Sequence, residues 1–233
     1  WSTTAAAASR LVANPAEFTV AVKAARPGDT IVLKDGEWRD FAAVFTGEGA
    51  ADRPITLTAQ TKGRVILTGN SSLKLGGRFL VVSGLVFRDG ASLGDEVIAF
   101  RTNARTHASD SRLTEVVIDG FSKPSRRAED IWVAIYGARN RVDHSYFAGK
   151  ANAGVTLAVI RPRAQPEAND HRIDHNHFGP RPPLGSNGGE TIRVGTSEES
   201  LHDSRTTIER NIFEECDGEV EIEGRRNRDR GDA

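Results

Sequence analysis

Val142-Asp143-His144-Ser145-Tyr146-Phe147 and Ile173-Asp174-His175-Asn176-His177-Phe178 are two copies of one signature. It returns as Val82 to Phe87, Val116 to Phe121 and Ile208 to Phe213, each with an aliphatic residue five positions before a Phe. The Phe-to-Phe intervals are 34, 26, 31 and 35 residues. An irregular period of this size, with one apolar signature per repeat and no helical segment between repeats, predicts a stacked-coil solenoid. The expected form is an all-β, right-handed parallel β-helix with coils about 4.8 Å apart. Val, Ile and Phe would stack inside, with Gly, Asn and Asp at the corners. A β-sandwich would show hairpin signals roughly every 8–12 residues. Asp35-Gly36 and Asn187-Gly188 are the nearest approach, and neither lies between matched strands.

One helix is expected, at 15–26. Asn14 is its N-cap, Pro15 its first residue, and Glu17 the third. Phe18, Val22 and Ala25 recur at helical spacing, and Arg26-Pro27-Gly28-Asp29 ends it. It would cap the first coil, whose open face exposes unpaired backbone and an apolar core.

The 233 residues suit one large domain, here 1–223, followed by a charged, disordered tail at 224–233. The net charge of −1 gives no basic field for a nucleic-acid partner. No apolar run reaches the length of a membrane span. Twenty-three glycines and 6% aromatics suit short strands and tight turns. A single cysteine, Cys216, precludes an intrachain disulfide and reads as a buried apolar residue. The sequence starts at Trp1 and contains no Met, so a leader or start residue is absent from it.

Asp217-Gly218-Glu219-Val220-Glu221-Ile222-Glu223, read as a strand, puts three carboxylates on one face. Glu190-Thr191-Ile192-Arg193-Val194 reads the same way, with Thr191 and Arg193 outward. Asn187 shares the parity of Arg193 and precedes Glu219 by 32 residues, about one coil. Asn187, Glu219 and Glu221 thus make a partial oxygen shell suited to calcium. The alternative is an Asn at a turn beside two solvated glutamates. His175 and His177 read as repeat residues, at least one of them structural. A zinc site is not expected, because no second His or Cys is found at ligand spacing on the same outward face. Arg230-Gly231-Asp232 is too short a match to carry weight.

Asn187-Gly-Gly-Glu-Thr-Ile-Arg193, preceded by Gly179-Pro-Arg-Pro182 and followed one coil later by Asp217-Gly-Glu-Val-Glu-Ile222, resembles polysaccharide lyase family 6. That family contains alginate lyases and chondroitinase B. The likeness begins near Pro27-Gly-Asp-Thr-Ile-Val-Leu-Lys-Asp-Gly-Glu-Trp38 and runs through Ile222. It implies a parallel β-helix, secretion or a periplasmic location, and β-elimination across a uronate with calcium as cofactor. Its metal ligands fall on Asn187, Glu219 and Glu221. The expected partner is an anionic polysaccharide, alginate in preference to dermatan sulfate. Arg193 and Arg161 would bind substrate, with Arg163 extending a basic track. For Arg193 an ion pair with a neighbouring Glu is the competing reading.

The sequence departs from the family where a catalytic Lys follows the second metal Glu by five residues. Arg226 stands there, and no Lys follows Lys150. Arg226 is therefore the candidate catalytic base, although an arginine is ordinarily protonated. Alternatively, Arg225, Arg226, Arg228 and Arg230 hold a polyanion without cleaving it. The competing functions are a non-catalytic uronate-binding module, self-associating through an open C-terminal end, and a uronate C5-epimerase.

Overall fold

The computed structural model describes residues 6–161, 168–185, 187–195, 202–219 and 223–225. The expected single helix forms over Pro15–Ala24. The Asn14 side chain accepts from the Glu17 amide at 3.0 Å, capping the helix, and Glu17 Oε2 accepts from the Ala13 amide, one residue before the cap, at 2.8 Å. Phe18, Ala21 and Val22 are buried, and Phe18 meets Phe41 edge-on at 5.1 Å. No helix among the described residues is long and apolar enough to cross a membrane.

The strands form three sheets, and every pairing between named strands is parallel. The first sheet runs coil by coil from Ser9–Val12 to Thr207–Glu209. The second ends in Leu157–Val159, Ile192–Val194 and Glu223–Arg225, and the third runs from Gly36–Arg39 to Ile212–Phe213. This is the expected parallel β-helix, with its core inside the coils. Phe147, Phe178 and Phe213 stack at 5.4 and 5.2 Å.

One repeat is framed differently from the sequence expectation. Leu113, not Val116, pairs with Val82 and Val142, and Ile118 takes the ladder place between Phe87 and Phe147. Phe121 lies three residues further on and packs edge-on against Phe87 at 5.7 Å.

Stacking in register also sets like charges above one another. On the first sheet Arg112, Arg141 and Arg172 form one row, and Asp143, Asp174 and Glu209 form another. The repulsion is answered diagonally. Arg112 chelates Asp143 at 2.7 and 2.5 Å, Arg141 chelates Asp174 at 2.8 and 2.6 Å, and Arg172 reaches Glu209 at 2.6 Å. Each pair staples one coil to the next. At the following corner Asn211 Oδ1 accepts from the Asn176 amide, and Asn176 Oδ1 from the Ser145 amide, at 2.9 and 3.1 Å.

Burial alone would push the Asp174 carboxyl up, but hydrogen bonds from Arg141 and His175 outweigh it and hold the group at about 2. A depressed carboxyl stabilises the fold above its unfolded value of 3.8, and that stabilisation is lost as pH falls towards 2. Asp174→Asn should therefore cost roughly 2 kcal/mol at pH 7 and much less at pH 2. Urea unfolding at the two pH values checks this; an equal loss at both would refute it.

Candidate active-site cleft

A cleft of ≈ 350 Å³ lies at the corner leading into the second sheet, with Asp95, Glu129, Asp130, Asn187 and Arg193 among its lining residues. Of the stretches that the sequence singled out, the one from Asn187 to Arg193 lines this cleft. The local geometry differs from the strand that was expected. Asn187 is exposed in a bend, the strand begins only at Ile192, and Asp217-Gly218 is a turn. Ile192 pairs with Glu223, so the last described strand, Glu223–Arg225, lies across the boundary expected after 223. Thr191, expected outward, is buried.

The 187–189 bend nevertheless grips the next coil. Glu219 Oε2 accepts from the amides of Gly188 at 3.0 Å and Gly189 at 2.9 Å. Two glycines permit this. Gly188 has φ +96°, and a Cβ on Gly189 would lie 2.5 Å from the Gly218 carbonyl oxygen. Both contacts use one carboxylate oxygen of Glu219. Among the described residues no group of three His, Cys, Asp or Glu side chains forms a metal site. The donors that are placed, an amide oxygen and a fixed carboxylate, are the hard oxygen ligands that calcium prefers. Glu221 and Arg226 lie outside the described residues, as do Arg163, Arg228 and Arg230.

Arg193 is half-buried, its Nη1 3.7 Å from Glu190 Oε1. Both sequence readings thus keep a basis, a loose ion pair and a guanidinium at the cleft. Arg161 is placed differently from its expected role. It is 2% exposed, and its guanidinium donates to the backbone carbonyls of His202 and Asp203. It ties down a loop of the next coil and does not extend an open basic track. Cys216 is buried as expected, its thiol pushed up by burial.

Beneath the cleft is a charge network that the sequence did not reveal. Lys150, 1% exposed, donates to Asp130 and Asn152, and burial lowers its ammonium to about 8 against the pull of Asp130. Arg181 is equally sunken. It donates to the carbonyls of Glu190 at 3.1 Å, Asn152 at 3.2 Å and Gly154 at 2.8 Å, and burial brings it down to about 10. Asp130 Oδ2, Glu190 Oε2 and Arg193 Nε have no hydrogen-bond partner among the described residues. Orphaned polar atoms are costly when buried, and two of the residues that carry them, Asp130 and Arg193, line the cleft.

The cleft, the Asn-Gly-Gly bend and the carboxylate it clasps are thus carried on a parallel β-helix. The family model described as chondroitinase B matches residues 12–229, and the chain belongs to this family, polysaccharide lyase family 6. The alginate lyase AlyGC is 53% identical with a TM-score of 0.92, over 94% of this chain and 30% of that one. A mannuronic-acid-specific family 6 lyase from human gut microbiota is 35% identical with a TM-score of 0.88, over 94% and 51%. The family 6 lyase Pedsa3628 from Pseudopedobacter saltans is 30% identical with a TM-score of 0.83, over 93% and 49%. This chain therefore spans from under a third to about half of these relatives. No curated protein matches it.

The Gly189 contact can be tested directly. Gly189→Ala must push the Gly218 backbone away and should cost about 2 kcal/mol, a fall in melting midpoint of roughly 4–8 °C. An unchanged midpoint by calorimetry would show that the two coils are not in close contact there.

Proposed function

We propose that this chain carries the cation- and substrate-binding part of a secreted or periplasmic lyase that cleaves alginate by β-elimination. The observation that carries this reading is the Gly188-Gly189 grip on Glu219 beside Asn187 and Arg193 at one cleft. Family membership and the likeness to alginate lyases over most of the chain support it.

In this reading Asn187, Glu219 and Glu221 would hold calcium. When bound, the ion would supply positive charge beside the uronate carboxylate, easing loss of the neighbouring C5 proton. Arg193 takes a sugar carboxylate in a charge-assisted pair, using a guanidinium that Glu190 engages only loosely. Lys150 and Arg181 stay buried and fix the cleft floor instead of reaching substrate. A base accepts the C5 proton, the electron pair forms the C4–C5 double bond, and the 4-linked oxygen departs and takes up a proton. Arg226 is the residue assigned to the base.

The test is incubation of the chain with alginate and calcium, followed by ultraviolet absorbance of the unsaturated product. The proposal expects a rise that a chelator abolishes and that Glu219→Gln lowers roughly 10²-fold or more. Polymer binding without a rise would leave a binding module, and an altered mannuronate-to-guluronate ratio without a rise would indicate an epimerase. Activity undiminished by Glu219→Gln would remove the metal assignment.

A further inference from the structure

On the first sheet, away from the cleft, two imidazoles stand side by side. His144 and His175 occupy equivalent places on successive coils, each just after a paired aspartate in the Asp143–Asp174 register. Both have left-handed backbones, with φ of 50° and 55°. Their rings are parallel within 1°, with centroids 5.1 Å apart. This corrects the expectation that His175 has no second His on its outward face. The partner belongs to the preceding coil, at the equivalent position of the repeat.

Each ring is held in the same way. His144 Nδ1 lies 2.6 Å from Asp143 Oδ2, and His175 Nδ1 lies 2.7 Å from Asp174 Oδ2. Both carboxylates are fully buried and are fixed in turn by Arg112, Arg141 and Arg172. The imidazole side chains are 52% and 35% exposed. A neutral imidazole that donates Nδ1–H to a carboxylate carries its lone pair on Nε2. This carboxylate–histidine arrangement is the one that orients and strengthens histidine metal ligands. One coil earlier at the same corner stands Glu115, with φ 55° and its carboxylate on the exposed Lys62. One coil later stands Arg210, also at φ 55°.

We propose that His144 and His175 form a second cation site, for a borderline transition metal bound through two Nε2 atoms, with water completing the shell. Nitrogen donors select Cu2+ over Ni2+ and Zn2+ and discriminate against calcium. The site is thus chemically distinct from the oxygen donors of the cleft. Metal–nitrogen bonds of about 2.0–2.1 Å require the rings to tilt together from their stacked positions. The two side chains are partly exposed, so the tilt is towards solvent and does not require the coils to move. Glu115 is the nearest additional oxygen donor in the row, available if it releases Lys62.

The test uses tag-free protein titrated with Cu2+, followed by calorimetry and electron paramagnetic resonance. One Cu2+ should bind per chain with hyperfine coupling to two imidazole nitrogens. His144→Ala and His175→Ala should each weaken binding at least about tenfold, and Asp174→Asn, with both imidazoles intact, by about 10–100-fold. His177→Ala, on the third sheet, should leave the affinity unchanged. Thermal melts and the closer mimics His144→Gln and His175→Gln separate loss of ligand from loss of fold. Unchanged affinity in either His144 or His175 variant, coupling to a single nitrogen, or equal weakening by His177→Ala would overturn the proposal.

Discussion

Parallel coils stacked in register impose one constraint on everything else: whatever a residue is, its counterpart lies about 4.8 Å above and below it. For apolar residues the constraint is an advantage, and the Phe147–Phe178–Phe213 stack follows from it. For charged residues it is a liability, since identical positions repel. The first sheet resolves this by running a row of arginines beside a row of acids and pairing them diagonally across coils. Attraction between coils then replaces repulsion within rows. Because Asp143 and Asp174 are fully buried, removing either partner would strand a desolvated charge, which costs far more than an exposed pair contributes.

The corner beside the second sheet obeys the same constraint with the opposite outcome. Lys150, Arg181 and Arg193 lie with Asp130, Glu190 and Glu219, and Asp95 and Glu129 add two more carboxylates at the cleft. Carboxylates outnumber cations in this group, and the hydrogen bonds do not balance either. Arg181 gives its donors to backbone carbonyls of Asn152, Gly154 and Glu190, while carboxylate oxygens of Asp130 and Glu190 are left without partners. Among the described residues, the stapling carboxylates Asp143 and Asp174 of the first sheet have no such remainder. Fixed, incompletely satisfied polar groups in a concave site are what preorganised binding requires.

The fold was legible in the sequence because an aliphatic residue and a Phe at fixed spacing reflect one strand pair per coil. The misframed repeat shows the limit of that signal. Val116-Val117-Ile118 supplies three consecutive aliphatics, so the spacing rule fits a frame three residues away from the true one. At the site, coil length alone brought Asn187 near Glu219, although neither lies in the strand expected of it. Glycine made the difference, since a bend with φ +96° at Gly188 breaks the alternation on which the parity argument relied. Arg161 was misjudged because a surface arginine and a buried corner clamp have the same local sequence. The Lys150–Asp130 pair and Arg181 were not visible because coils of unequal length leave no constant offset between their partners, whereas His144 and His175 hold the same place in the repeat and their stacking follows from it.

The Glu219 anchor shows why the coil contact and the site cannot be separated. A carboxylate held by side chains could follow them to new rotamers. One held by two successive backbone amides has no such freedom, for the amides move only if the coil moves. The glycines that allow the close approach thus also fix the direction of the carboxylate. Any residue with a Cβ at 189 would separate the coils and turn Glu219 at the same time. Stability and the direction of this carboxylate are here one quantity, and on the proposed calcium reading a substitution that loosens the corner would weaken cation binding even though it touches no ligand atom.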